Sequence, residues 1–533
     1  MKKLVNFRIL FVLALSVVAY SCDNDENVID DSKVLKSDAD AYTLVNGVYP
    51  PLQGISSSYS FLLESASEGT ISFEGAEDEA GPVVSRFETE PGTWYPIKIF
   101  SRLYQSIGAA NDAIERIEAV GNDVVSEAVK KITIGRAKFI RGVNYLYLVQ
   151  LFGEVPLVLQ TTGQTTTRAS IDVVYAQIVK DLTEAETVLP LDESNKANPS
   201  KGAANAILAR AYLVWGHNPL TQTQLGAIAS GIADPAPTVN ADRLQKAVDY
   251  ANAVINSGKY SLETDLEKNY GRNNKNGQEQ IFVIRHELVN GDGGNHQSHC
   301  AFTEVFQTEK DVHIGPADID LYNNWDAADK RREFSYTSHL KNPAENDKEY
   351  TFLPPVTLPR FGKGIDRTYT NSVNLSSYER DMDRIEIRYA EVLLTKAEAL
   401  LELDQTEGAL PLVNQIRERA YGDDLHNLTA LTREALYKEW EHEFVYDQKR
   451  WLDLVRWKTL ITTVKSVENF THYINKTEET TTGGPAVNQD FFNKVYDHLH
   501  AKYNNVKGKH YRFPIPLGEQ SEELGITPQN PGY

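Results

Sequence analysis

Apolar and polar residues follow a helical spacing over most of the chain from Ile97 onward. Residues three or four positions apart share one face of an α-helix, so this spacing predicts amphipathic helices with one buried face. One apolar stripe, which turns polar only in its last turn, is formed by Phe139, Val143, Leu146 and Gln150. Another occupies residues 244–255 and stops before Gly258, a residue suited to the left-handed backbone that closes a helix. We therefore predict a mainly α-helical fold.

Five further segments show the same pattern, and all are long and amphipathic. They are Val173 to Leu189, Lys201 to Gly216, Arg384 to Leu403, Glu407 to Tyr421 and Thr432 to Trp457. Several carry small residues on the packing stripe, which lets neighbouring helices approach closely. Those residues are Ala203, Ala206, Ala209, Ala390 and Ala397. Paired helices with alanine seams predict tetratricopeptide-like stacking, although no clean repeat period is visible.

Two regions lack the helical spacing. They run from Gly54 to Pro96 and from Tyr260 to Asp383, and both are rich in Gly, Pro, Asn and isolated aromatic residues. This composition predicts loops with short strands. Binding sites tend to lie on irregular segments that a rigid frame supports. We therefore expect a loop-rich binding lobe, residues 54–96 and 260–383, on a helical scaffold of residues 97–259 and 384–533.

The N-terminus has the pattern of an export signal. Lys2, Lys3 and Arg8 precede the apolar stretch from Ile9 to Ala19, which is too short to span a membrane. The stretch ends in Ala-Tyr-Ser-Cys, which resembles a lipobox, although its tyrosine is atypical. We expect residues 1–21 to be removed and Cys22 to be lipidated, rather than a signal peptide with a chance cysteine.

The residues after Cys22 begin with an acidic run, Asp-Asn-Asp-Glu, and we expect a solvated tether over residues 22–40 before the body at 41–533. That run is similar to the sequence that directs Bacteroidetes-type lipoproteins to the outer leaflet of the outer membrane. No run of about 18 or more apolar residues follows the N-terminus, so we expect membrane attachment through the lipid. The second cysteine, Cys300, is then an inert thiol.

Composition narrows the class of partner. The 533-residue chain carries a formal net charge of −20, and phosphate binding needs clustered Lys and Arg, so nucleic acid is not expected as a partner. Its 27 Tyr, 19 Phe and 6 Trp supply many rings that can pack or stack on a ligand. A neutral or cationic ligand fits this composition better than an anionic one.

An ordered set of motifs resembles the SusD/RagB family of nutrient-binding outer-membrane lipoproteins over nearly the full length. The motifs are residues 136–142 leading to 151–157, residues 201–213, 257–262, 388–394, 414–420 and 439–457, and the terminal 529–533. The resemblance implies a helical body with an irregular binding lobe, seated over a SusC-type TonB-dependent transporter, with no catalytic activity and no cofactor. Charged residues within these motifs are interpreted as structural ion pairs. They are Arg136, Arg141, Glu391, Arg417 and Arg450.

Glycan capture needs flat apolar rings for the C–H face of a sugar and planar polar groups beside them. Two loop clusters offer this combination. The first is Tyr59, Phe73, Arg86, Trp94 and Tyr95, and the second is Asn323, Asn324 and Trp325. Packing on the start of the next helix is an equal alternative for Trp94 and Tyr95. Tyr322 is interpreted as structural.

Other functions have weaker support. His296, His299 and Cys300 lie close together, but they lack a second ligand pair, and we expect no metal. No nucleophile elbow, phosphate loop or dinucleotide motif is present, so we expect no enzyme. The leading hypothesis is a glycan-binding protein that passes oligosaccharide or polysaccharide to the transporter. A peptide-binding protein of the RagB type and a lipid-anchored polysaccharide hydrolase are the alternatives.

Overall fold

Helices dominate the computed structural model, as the apolar spacing predicts. It describes residues 34–72, 80–163, 167–287, 314–316, 319–342, 346–352, 358–365, 381–467, 489–517 and 526–533. The α-helices before residue 260 are α1 (Asp38–Asn46), α2 (Pro50–Gln53), α3 (Ser56–Tyr59), α4 (Ala80–Ser85), α5 (Trp94–Ala119), α6 (Glu127–Phe152), α7 (Ile171–Val188), α8 (Lys201–Gly216), α9 (Gln222–Ile228) and α10 (Ala241–Asn256). Those after it are α11 (Ile319–Asn324), α12 (Arg331–Ser335), α13 (Tyr389–Glu402), α14 (Thr406–Tyr421), α15 (Arg433–Glu443), α16 (Arg450–Trp457), α17 (Leu460–Ser466) and α18 (Gln489–Asn505).

Successive long helices pack side by side from α5 through α8 and continue through α10, α13 and α14. Small residues allow this close approach. A Cβ atom placed on Gly142 of α6 would lie 3.0 Å from Cγ of Leu182 on α7, so the two helices meet at a position where only glycine fits without displacement. Ala203, Ala206 and Ala209 are all buried along α8. The long helices therefore pack closely against one another and form a helical scaffold.

Short antiparallel strand pairs supplement the helices. The strands are β1 (Thr70–Ser72), β2 (Val155–Pro156), β3 (Arg168–Ala169), β4 (Gln280–Ile284), β5 (Ile314–Pro316), β6 (Tyr336–Thr337), β7 (His339–Asn342), β8 (Lys348–Thr351), β9 (Arg360–Phe361) and β10 (Arg384–Arg388). The pairs are β1–β5, β2–β3, β4–β10, β6–β9 and β7–β8. In the β4–β10 pair, Arg384 lies opposite Ile284. Because β4 belongs to the irregular region of residues 260–383 and β10 begins the scaffold segment that follows it, this pair joins the two parts.

Three predictions of secondary structure are wrong. The segment predicted as one helix from Thr432 to Trp457 is two helices, α15 and α16, because Tyr446 and Gln448 between them adopt positive φ angles of 59° and 61°. The predicted helix at Arg384 begins as strand β10, and helix starts at Tyr389. The region from Gly54 to Pro96, predicted to be loops with strands, contains short helices, a π-helical turn and the first turn of α5.

The N-terminal end of the described chain belongs to the body. Helix α1 is capped by the Ser37 side chain and so starts inside the predicted tether. Asp38 accepts hydrogen bonds from the backbone N–H and the hydroxyl of Ser126, at 2.7 and 2.9 Å, which ties α1 to the start of α6. Cys22 lies outside the described residues.

One hydrophobic core runs through the scaffold and continues into the irregular region, where Trp325 and Phe361 belong to it. Burial of apolar area on this scale is the main driving force for holding the two parts together. Among the helices that the structure describes, none combines the length and apolar character needed to cross a bilayer.

Candidate functional site

Trp94 is the first residue of α5, and its side chain is 50% exposed. All six tryptophans lie in described segments; Trp94 is the most exposed, Trp215 is half-buried, and the other four are buried. The neighbouring Tyr95 is only 3% exposed and meets the Trp94 ring edge to face at 5.0 Å. The two predicted site residues therefore have different roles: Tyr95 anchors the start of α5 in the core, and Trp94 presents an indole to solvent.

Two cations follow Trp94 along the same face of α5. Lys98 and Arg102 come four and eight residues later, a spacing that places all three side chains on one stripe. Lys98 Nζ lies 4.6 Å from the centroid of the Trp94 ring. Burial, with the charge of Arg102 as the smaller contribution, lowers the pKa of Lys98.

Arg102 extends this stripe towards the end of α2. A Cβ atom on Gly54 would lie 3.9 Å from Arg102 Nε, and Arg102 Nη1 donates to Gln105 Oε1 at 3.1 Å. We call Trp94, Lys98 and Arg102 the α5 stripe. It combines one flat apolar ring with two side chains that carry several N–H donors. Sequence reasoning did not include Lys98 and Arg102, although their four-residue spacing from Trp94 was visible.

The other members of the first predicted cluster give less evidence for an accessible binding surface. Arg86 follows α4 and forms an ion pair with Glu88 at 2.9 Å, with 24% of its own side chain exposed. Tyr59 ends α3, but its side chain lies outside the described part of the structure. Phe73 also lies outside the described residues. The structure therefore places Trp94 on an accessible surface and leaves the contribution of Tyr59 and Phe73 as a prediction.

The second predicted cluster separates into exposed and buried members. Asn323 and Asn324 end α11, and both are exposed. Trp325 is only 2% exposed, stacks on His442 with ring centroids 4.0 Å apart, and donates from Nε1 to Asp329 Oδ2 at 3.0 Å. The expectation that Trp325 presents its ring to a ligand is therefore corrected, because both its packing and its N–H are already used in the core.

The structural interpretation of Tyr322 is confirmed. This side chain is 7% exposed, and its hydroxyl donates to Glu333 Oε2 at 3.0 Å. The guanidinium of Arg332 lies 4.2 Å from the ring centroid. Tyr322 thus ties α11 to α12 and has no face available for a sugar.

The charged residues of the family-like motifs form ion pairs, as predicted. Arg141 pairs with Asp181 at 2.7 Å and thereby joins α6 to α7. The remaining pairs are Arg136–Glu193 at 2.9 Å, Glu391–Arg210 at 2.5 Å, Arg417–Glu439 at 3.1 Å, and Arg450 with Glu441 at 2.9 Å and with Glu68. Buried charges of this kind are stable only when they are paired, so these residues belong to the framework.

The carboxylate of Glu443, at the end of α15, is paired with three guanidinium groups. It accepts from Arg388, from Arg419 at 2.5 Å and from Arg331 at 3.0 Å, and it is fully buried. Although burial opposes ionisation, these three guanidinium groups hold the pKa of Glu443 well below its usual value. Arg331 comes from the irregular region and Arg388 and Arg419 from the scaffold, so Glu443 is the ionic junction between them.

No group of three or more His, Cys, Asp or Glu side chains in the described ranges is arranged to hold a metal ion. His296, His299 and Cys300 lie outside those ranges.

Two family models match the chain. Residues 265–533 match the model described as the SusD family, and residues 28–213 match the model described as "Starch-binding associating with outer membrane". Among curated proteins, "SusD-like protein P2" of Formosa agariphila is 25% identical, with 99% of each chain covered.

Solved structures show the same fold. A SusD homologue from Bacteroides thetaiotaomicron superposes with a TM-score of 0.73 at 22% identity, covering 95% of this chain and 99% of that one. Surface glycan-binding protein A from Bacteroides fluxus gives a TM-score of 0.67 at 20% identity, covering 93% of this chain and 99% of that one. The similarity extends over both the helical scaffold and the irregular region.

Proposed function

Since this chain belongs to the SusD family, we propose that it is an outer-membrane lipoprotein that binds a glycan at the cell surface. It passes the bound oligosaccharide or polysaccharide to a SusC-type TonB-dependent transporter and does not cleave it. The observation that carries the proposal is the exposed Trp94 indole with Lys98 and Arg102 on the same helical face.

The chemistry of the α5 stripe suits a sugar. An indole face packs against the C–H groups of a pyranose ring, and ammonium and guanidinium N–H groups donate to its hydroxyl oxygens. Lys98 lies over the Trp94 ring, and half of the indole surface stays open for a ligand. Asn323, Asn324 and Arg86, together with Tyr59 and Phe73, remain candidate contributors to glycan binding.

Relatives support the ligand class and the location. One matching family model is described as starch-binding and associated with the outer membrane, and the structural relative from Bacteroides fluxus is called a surface glycan-binding protein. Lipidation of Cys22 supplies the anchor, because an acyl chain contributes about 0.8 kcal/mol per buried methylene. The anchor places the α5 stripe outside the cell, within reach of polysaccharide.

A glycan array followed by titration calorimetry tests this function. The purified chain should bind one class of polysaccharide, and Trp94→Ala should weaken that binding about 30-fold or more, since about half of a tryptophan surface and its stacking contribute about 2–3 kcal/mol. Leu425→Ala is the matched control, because it removes an apolar side chain that is 85% exposed and lies outside the stripe. Its affinity should equal that of the unmodified chain.

The same samples separate the alternatives. Binding to a peptide pool with no binding to the array would favour the peptide-binding function. Release of new reducing ends from a bound polysaccharide would favour the hydrolase. Equal affinities of Trp94→Ala and the unmodified chain would remove the α5 stripe from the glycan site.

A further inference from the structure

The local charge of the α5 stripe differs from the charge of the whole chain. Asp and Glu make up 74 of the 533 residues, and the net charge of −20 favours a neutral or cationic ligand. Residues 91–111, however, contain Lys98 and Arg102 but no Asp or Glu. Residues 41–63 contain no charged residue, and α2 and α3, which lie within them, pack against α5. Neither of these two segments therefore supplies a carboxylate to the stripe.

The two cations of the stripe are not neutralised within the described ranges. Neither Lys98 nor Arg102 forms an ion pair there, and the acceptor that Arg102 uses is the neutral amide of Gln105, at 3.1 Å. Lys98 is half-buried, and burial, followed by the charge of Arg102, lowers its pKa. The Lys98 ammonium is thus partly desolvated and also repelled by a second cation. An anion that contacts both side chains would offset this repulsion.

The acids closest to the stripe in the sequence already have cations of their own. Glu90, before the stripe, pairs with Lys509 at 3.7 Å. Asp112, after it, pairs with Arg116 at 3.1 Å. Asp112 lies ten residues beyond Arg102, which is about 15 Å along α5, whereas exposed charges are largely screened beyond about 8 Å at physiological salt. The negative charge of the rest of the chain is screened in the same way and does not prevent an anion from binding at the stripe.

We propose that the α5 stripe selects glycans that carry anionic groups, carboxylate or sulfate, over their neutral counterparts. This inference rests on the proposed glycan-binding function and names the class of glycan. The indole of Trp94 packs on the C–H surface of a sugar, while anionic groups of the same glycan accept from the Lys98 ammonium and the Arg102 guanidinium. The three side chains extend over eight residues, about 12 Å along the helix, which suits a chain of sugars better than a small free anion.

An array that pairs acidic polysaccharides with neutral counterparts tests this selection on the full chain. Polygalacturonate and alginate are each paired with their methyl esters, and dextran sulfate is paired with dextran, so that each pair shares one sugar backbone. In calorimetric titrations, the acidic member of a bound pair should bind about tenfold more tightly or better. About 1 M NaCl should remove most of this preference, because the Debye length falls to about 3 Å. Comparison of the pairs distinguishes a carboxylate from a sulfate.

Variants assign the preference to the two cations. Lys98→Gln and Arg102→Gln should each lower the affinity ratio of acidic to neutral member about fivefold, whereas Trp94→Ala should weaken both members alike, since both share the C–H surface. Arg116→Gln is the matched control, because it makes the same change in net charge on the same helix. Arg116 is paired with Asp112 at 3.1 Å and lies about 21 Å along α5 from Arg102, so its loss should leave the ratio unchanged.

Failure of this inference and failure of the proposed function give different results. Equal or tighter binding of the neutral members would overturn the selection for anionic groups and leave glycan binding intact. A preference for acidic members that persists in both Lys98→Gln and Arg102→Gln would also overturn it, because the anionic groups would then bind elsewhere. If the chain binds no glycan of either kind, the proposed function itself fails, and this inference fails with it.

Discussion

Replacing Arg388 by methionine tests the ionic junction between the scaffold and the irregular region. Arg388 is 1% exposed, and its Nη1 donates to Glu279 at 2.7 Å and to Glu443. Its Nη2 donates to the backbone carbonyl of Glu443 at 2.8 Å and to Asp447 at 3.2 Å. Methionine keeps much of the apolar stem and removes the charge and these donors.

Arg388→Met should cause a large loss of stability, because it removes one cation from the buried carboxylates that Arg388 contacts. Removing one partner of a buried ion pair typically costs about 3–5 kcal/mol. Arg419 still reaches Glu279 at 3.2 Å and Glu443 at 2.5 Å, and Lys363 still reaches Asp447 at 3.1 Å. Since each carboxylate keeps another cation, we expect a decrease of about 3 kcal/mol in the free energy of unfolding, at the lower end of that range.

Urea unfolding followed by tryptophan fluorescence measures this difference, and Arg433→Met is the matched control. Arg433 also makes a two-pronged pair, with Glu402 at 2.8 and 2.9 Å, but its side chain is 57% exposed. Water reaches the Arg433 guanidinium although Glu402 is only 6% exposed, so the loss of this pair should lower the free energy of unfolding by about 1 kcal/mol, well below the loss in Arg388→Met. Equal stabilities of the two variants would refute the interpretation of Glu443 as an ionic junction.

Two other predictions follow from buried rings. Trp325→Ala should lower the free energy of unfolding by about 3–5 kcal/mol, measured by urea unfolding, and leave the glycan affinity of the folded protein unchanged. Burial lowers the pKa of His510 to about 3, and Nδ1 accepts from Lys507 N–H at 2.9 Å. The unfolded chain takes up this proton near pH 6.5, so His510 should contribute a loss of about 2–3 kcal/mol in the free energy of unfolding between about pH 6 and about pH 4. His510→Gln should remove this loss, and an unchanged pH dependence in that variant would contradict the assignment.

The local sequence pattern was enough to predict the helices that pack against their neighbours in the chain. Lys201–Gly216 is a helix with its predicted boundaries, because an apolar stripe and a Ser200 cap define it within the segment itself. The strand at Arg384–Arg388 was missed because its pairing partner, β4, lies about a hundred residues earlier in the chain. The break between α15 and α16 was missed because neither Tyr446 nor Gln448 is a residue typical of positive φ.

In the candidate site too, the local sequence pattern could not predict which rings are exposed. Trp325 stands among polar neighbours and was predicted to be exposed, but it is covered by His442, which comes from a distant helix. Trp94 and Tyr95 are adjacent in sequence, and only the direction of α5 decides which ring faces the core. The framework charges were predicted correctly because a charge within an apolar helical stripe must find a partner wherever the chain folds.

Iodide quenching of tryptophan fluorescence tests most directly whether the Trp94 indole is the surface that contacts glycan. Trp94 is the most exposed of the six tryptophans and Trp215 is half-buried, so Trp94 should account for most of the quenchable emission, and Trp94→Phe should remove that part. A saturating concentration of the glycan identified on the array should protect Trp94 from iodide. Undiminished quenching in the fully bound protein would contradict the account.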